Sequence, residues 1–191
     1  MKKYFLITQI CIMIIATVNT SGATVVKPSI ELKPHSASHR FMARKTDQDD
    51  SELLNKPAPG FELTGLDGKN YSLKNLKGKI VVLNFWFIAC KPCVNEMPVL
   101  NSIKKKYDPK KVVFLALSLD SKSAVNAFLQ NHQFNYVMLP DAAPVHRKYH
   151  LNAYPTSIVI DARGIISFVQ IGGPDINENL QVAINSALKS M

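Results

Sequence analysis

The sequence predicts an α/β domain built on a central mixed β-sheet flanked by helices, with a β-hairpin extension at its N-terminal side. Three observations predict it. Residues 80–87, but for Asn84, and 112–117 are continuous apolar runs, the pattern of strands buried on both faces. Between them, residues 93–107 place Val94, Met97, Leu100 and Ile103 at helical spacing, so the three segments read as a βαβ unit. Later, residues 157–160 and 165–171 read as strands joined by Asp161-Ala162-Arg163-Gly164, a hairpin turn that makes the sheet mixed.

The other elements follow the same rules. Phe61 and Leu63 alternate with polar residues, Asp67-Gly68 supplies a tight turn, and Tyr71 and Leu73 resume the pattern beyond it. Residues 123–131 read as a helix capped by Ser121 or Ser123, and residues 136–139 as a short strand. Pro144 opens a short helix over 144–150, where the first turn tolerates its missing N–H. Residues 175–189 close the chain as a helix.

The 191 residues leave room for one domain plus a leader. Apolar residues at 47% and charged residues at 19% fit a soluble domain with a substantial core. At the N-terminus, Lys2 and Lys3 precede a 15-residue apolar run over 4–18, and Ser21-Gly22-Ala23 offers a small-residue cleavage site. This is the layout of a signal peptide over 1–23, and the run falls short of the ~20 residues of a spanning helix. An uncleaved anchor is the alternative. Residues 24–51, with Pro28, Pro34 and the acidic stretch Asp47-Gln48-Asp49-Asp50, read as a linker, and residues 52–191 as the domain. The expected location is therefore periplasmic or otherwise extracytoplasmic. The formal net charge is +9, or +7 once Lys2 and Lys3 leave with the leader. Its basic stretches lack interleaved aromatics, so nucleic acid is not an expected partner.

Of the three cysteines, Cys11 lies inside the apolar run, leaving Cys90 and Cys93 as the thiols of the exported domain. Joining residues three apart closes a tiny loop and gains little entropy, so a structural staple is a poor account of the pair. A redox role is a better one. Cys90 sits where the buried strand meets the helix, and free N–H groups at a helix start favour a thiolate. Lys91 adds a nearby cation. Cys90 would attack a partner disulfide, and Cys93, one turn on and less exposed, would resolve the mixed disulfide. Pro92 stiffens the loop at no hydrogen-bond cost.

Half a zinc site is the competing reading of Cys-x-x-Cys, but no second Cys pair exists, and His146 and His150 read as solvent-side residues of a short helix. No metal or other cofactor is expected. Glu96, one turn beyond Cys93, is placed to exchange a proton with it or to be a solvated helix residue. Tyr154-Pro155, just before a strand, is a candidate cis peptide or a plain turn.

Further segments stand in order: Lys56-Pro57-Ala58-Pro59-Gly60-Phe61, Leu66-Asp67-Gly68-Lys69, Leu76-Lys77-Gly78-Lys79, Val82-Leu83-Asn84-Phe85-Trp86, Cys90-Lys91-Pro92-Cys93, Glu96-Met97-Pro98, Tyr154-Pro155-Thr156 and Ile160-Asp161. Over residues 52–190 this series resembles the exported TlpA/ResA-like thiol–disulfide oxidoreductases of thioredoxin fold, within the AhpC/TSA-like superfamily. The resemblance implies Cys90 as attacking and Cys93 as resolving thiol, Glu96 as a modulator of thiol protonation, and Pro155 as a cis-proline facing the dithiol. Tyr154 and Trp86 join Pro155 as substrate-side residues, with a core residue at the strand end as the other reading of Trp86. It also implies electrons from a membrane thiol–disulfide transporter, and oxidised exported proteins such as apocytochrome c as substrates. Many relatives carry a second Trp directly before the first Cys; Ala89 stands there, so the substrate face differs.

Two alternatives share the fold. A peroxiredoxin-like peroxidase usually has Thr three positions before its reactive Cys, where this chain has Phe87. A copper chaperone would use Cys-x-x-Cys for a soft metal ion, usually with an added His or Met. The direction of electron flow is open at this level, because Lys91 and the helix end favour an oxidant while Glu96 opposes them.

Overall fold

The computed structural model describes residues 52–191; the expected leader, Cys11 and the linker lie outside the described residues. A two-stranded antiparallel hairpin comes first, β1 (Glu62–Thr64) and β2 (Asn70–Ser72), turning through Gly68 at φ 78°. A 3-10 turn, Leu73–Leu76, leads into β3 (Ile80–Trp86). Then come α1 (Lys91–Lys104), β4 (Val112–Ser118), α2 (Lys122–Leu129), β5 (Val137–Leu139) and α3 (Ala143–Lys148). The chain ends with β6 (Thr156–Ile160), β7 (Ile166–Ile171) and α4 (Ile176–Lys189).

The five longer strands form one sheet in the order β5-β4-β3-β6-β7. β3, β4 and β5 run parallel, while β6 and β7 run antiparallel to their neighbours. Every residue of β3 is buried, as its largely apolar run predicts. Alternate side chains serve opposite faces. Ile80, Val82 and Trp86 pack with Met97, Leu100 and Ile103 of α1 and with Leu180 and Ile184 of α4. Val81, Leu83 and Phe85 pack with Phe61 and with Val145 and Tyr149 from α3 and its end. Asn84 interrupts the apolar series and donates to Ser157 Oγ at 3.1 Å, which satisfies its amide inside the sheet.

α1 starts two residues earlier than its apolar spacing predicts. Cys90 is its N-cap, and Pro92 occupies the first turn, where an N–H has no helical partner to lose. Pro98 lies inside the helix, and its missing N–H leaves the Val94 carbonyl without a helical bond. α2 is capped by Ser121, whose side chain accepts from Ala124 N–H. Among the described residues no helix is long and apolar enough to cross a membrane.

Candidate active site

β3 delivers the chain to the top of the sheet, and a three-residue loop, Phe87-Ile88-Ala89, carries it to Cys90. That loop is held from β4. Asp120 accepts from Ile88 N–H at 2.7 Å and from the Ser118 hydroxyl at 2.9 Å, and Leu119 N–H donates to the Trp86 carbonyl. Cys90 N–H in turn donates to the Phe87 carbonyl at 3.1 Å. The position of Cys90 is thus tied to two parallel strands.

Cys90 and Cys93 are joined as a disulfide, with Cα atoms 5.3 Å apart. Cys93 N–H points at Cys90 Sγ, 3.2 Å away. An N–H donated to this sulfur stabilises a thiolate there once the pair is reduced. Cys90 is 6% exposed and Cys93 2%, so Cys90 is the more accessible sulfur. Lys91 and Pro92 are exposed beside them, as is Ala89, whose methyl covers little of this face.

Glu96 faces inward from α1 and is buried. Its Oε2 has no hydrogen-bond partner among the described residues, and desolvation raises its pKa to about 7. The Tyr136 hydroxyl is likewise buried without a partner; burial, then the nearby Glu96 charge, push its pKa well up. A carboxyl held near half-ionisation at neutral pH, one turn from Cys93, is chemically able to take or return a proton.

The Tyr154–Pro155 bond is cis. Pro155 packs against Gly172, whose N–H donates to the Pro155 carbonyl at 2.9 Å. A side chain at 172 would meet the Pro155 ring at 3.4 Å with φ at +32°, so glycine suits this close approach. Pro92, Glu96, Val99, Pro155, Gly172 and Ile176 are among the residues lining an open groove of about 370 Å³ beside the dithiol.

Tyr154 is half-buried on the other side of Pro155. Its ring meets Phe87 edge-on at 5.3 Å and stacks on His146 at 5.4 Å. His146 is not the solvent-side residue its helical spacing implied. It is 3% exposed, with Nε2 3.2 Å from the Leu117 carbonyl and Nδ1 2.9 Å from the Tyr154 hydroxyl. A carbonyl only accepts, so Nε2 carries the proton and Nδ1 accepts from Tyr154. Burial lowers the His146 pKa to about 4, which keeps this neutral tautomer in place. His150 is exposed.

Trp86 is a core residue at the strand end, the second of its two readings, and not a substrate-side one. It is fully buried, packed on Phe128 and Phe134 at 5.4 and 5.9 Å, so it supports the dithiol loop from beneath. Sequence reasoning missed Asp120, His146 and Tyr136. Ser118-x-Asp120 after a buried strand was a usable signal for the first; nothing local marked the other two.

Residues 54–169 match the AhpC/TSA family. The thiol-disulfide oxidoreductase ResA of Bacillus cereus is 38% identical over 130 residues, spanning 67% of this chain and 75% of that protein. The chain belongs to the AhpC/TSA family and, within it, to the ResA-like thiol–disulfide oxidoreductases. Solved relatives share the architecture. A thioredoxin-family thiol:disulfide interchange protein from Chlorobium tepidum is 27% identical with a TM-score of 0.60, covering 70% of this chain and 97% of that one. The exposed lipoprotein thioredoxin of Streptococcus pneumoniae is 27% identical with a TM-score of 0.57, covering 70% and 100%. This oxidoreductase has the thioredoxin fold, and its Cys90–Cys93 pair stands at disulfide distance, which fits a redox-active site.

Proposed function

We propose that this oxidoreductase is exported and works as a reductant of disulfides in other exported proteins, apocytochrome c among them, with a membrane thiol–disulfide transporter restoring its dithiol. The observation that carries the direction is Glu96. A buried, unpartnered carboxyl one turn from Cys93 disfavours negative charge on the thiols when it ionises, and so destabilises the reduced pair against the disulfide. A pair whose reduced form is destabilised gives its electrons away. The leader-like start, and the exposed lipoprotein among the solved relatives, support an extracytoplasmic site of action.

The reaction balances as two thiolate displacements. Cys90 thiolate attacks one sulfur of the partner's disulfide; that bond breaks, and the leaving partner thiolate takes up a proton. Cys93, its proton passed to Glu96, then attacks Cys90 Sγ; the Cys90–partner mixed disulfide formed in the first step breaks, the Cys90–Cys93 disulfide forms, and the second partner sulfur leaves as a thiolate that takes up a proton. Two electrons move from the dithiol to the partner. The Pro92–Pro155–Gly172 groove receives the partner backbone, with Tyr154 on the other side of Pro155.

The test is the reduction potential of the Cys90–Cys93 couple. A value near or below ~−270 mV supports a reductant, and one near ~−120 mV overturns that direction. Peroxide turnover rivalling insulin-disulfide reduction would assign the chain to peroxidase chemistry instead. Copper binding that blocks thiol exchange would favour a chaperone.

A further inference from the structure

The sheet has two ends, and their charge differs. Cys90 follows the C-terminal end of β3. At the opposite end, β3 and β4 begin side by side, with Ile80 paired to Val112. The connections that reach this end carry Lys77 and Lys79 ahead of β3, Lys105 and Lys106 at the close of α1, and Lys110 and Lys111 ahead of β4. All six are exposed except Lys79, which is partly so. Within these connections the one carboxylate is Asp108, and it is engaged with Lys110 N–H at 2.8 Å. At the same end, the β6–β7 turn pairs Arg163 with Asp161 at 2.6 Å, so that carboxylate does not offset the lysines. A seven-residue strand is about 23 Å long, which separates this basic pole from the dithiol by the height of the sheet.

Residues 55–58 join the domain at this pole. Asn55 N–H donates to the Ile166 carbonyl at 2.8 Å, and Ala58 N–H to the Gly164 carbonyl at 2.9 Å. The apolar run over 4–18 precedes this point in sequence. Immediately upstream of Asn55 the chain turns back towards the other end of the sheet, where Glu52 lines a cleft with Leu119, His146 and Tyr154.

We propose that the pole formed by Lys77, Lys79, Lys105, Lys106, Lys110 and Lys111 docks on anionic lipid headgroups and turns the dithiol away from the membrane. Clustered lysines bind such surfaces additively and through a screened field, so the attraction must fade with salt. Docked in this way, Cys90 and the Pro155 groove face soluble partners. The proposal holds for either direction of electron flow.

The experiment uses the full chain and measures its partition onto phosphatidylcholine vesicles with and without phosphatidylglycerol. The readout is the gain from the anionic lipid, because the apolar run contributes to both. The quadruple variant Lys105→Glu/Lys106→Glu/Lys110→Glu/Lys111→Glu is expected to cut that gain by about tenfold or more. Insulin-disulfide reduction should be retained. A control, Lys69→Glu/Lys122→Glu/Arg147→Glu/Lys148→Glu, changes net charge equally and should keep the gain. If the quadruple variant fails to fold, Lys110→Glu/Lys111→Glu should show a smaller loss in the same direction. Equal losses in both charge sets, or an intact gain in the pole variant, would overturn the proposal. Pole variants that release RNA but not vesicles would assign the pole to nucleic acid and overturn it too.

Discussion

Replacing Glu96 with Gln removes one ionisation and almost no volume. In the folded chain the carboxyl titrates at about 7 rather than at its ordinary 4.5, because it is desolvated and Oε2 has no partner. At about 1.4 kcal/mol per pKa unit, that difference amounts to about 3 kcal/mol. The sign follows from proton uptake. Between pH 4.5 and about 7 the folded state holds a proton that the unfolded state has released, so stability falls as pH rises through that window and then levels off. Glu96→Gln escapes this loss. The oxidised variant should match the parent near pH 4 and melt roughly 10 °C higher above pH 8, taking a few degrees per kcal/mol for a domain of this size. Thermal melts of the oxidised protein at several pH values read this directly. A gain of the same size at every pH would show that packing, not ionisation, separates the two side chains, and would refute the reasoning. No gain at high pH would show that the carboxyl is solvated.

His146 should produce the opposite slope. Its pKa is lowered from 6.5 to about 4, so stability is present above pH 6.5 and is lost as pH falls towards 4; denaturant titrations of His146→Gln should lose that acid sensitivity, worth about 3 kcal/mol, leaving the Glu96 slope uncovered. Asp120→Ala strands the Ile88 N–H and the Ser118 hydroxyl and should cost about 2 kcal/mol in urea unfolding, with slower disulfide exchange because the loop before Cys90 loosens. Cys93→Ser should accumulate a mixed disulfide between Cys90 and a partner protein, visible by mass spectrometry and reversed by dithiothreitol, whereas Cys90→Ser should not.

Local chemistry made most of the fold and the centre of the site legible. The apolar run that became β3, the hairpin turns at Gly68 and Gly164, and a helix cap at Ser121 or Ser123, of which the structure uses Ser121, each depend on residues adjacent in the chain. The dithiol was legible for the same reason: Cys90, Pro92 and Cys93 share one helical turn, and their order sets which sulfur is exposed. The start of α1 was misplaced by two residues because apolar spacing begins only where the helix meets the core, while its capped first turn lies outside it.

Tertiary packing decided the environment of each group. Glu96 lies on a helix whose spacing permits a solvated or a buried side chain; only the seating of α1 against β3 and α4 desolvates it. His146 was read as solvent-side from α3 alone, but Phe85, the Leu117 carbonyl and Tyr154 come from three other segments to enclose it. Trp86 could have faced a partner, until α2 and Phe134 covered it. The sequence by itself determined which residues could do thiol chemistry, because that depends on bonds and on neighbours within one turn. Burial, and with it pKa and orientation, depends on distant segments meeting, and only the folded structure decided those.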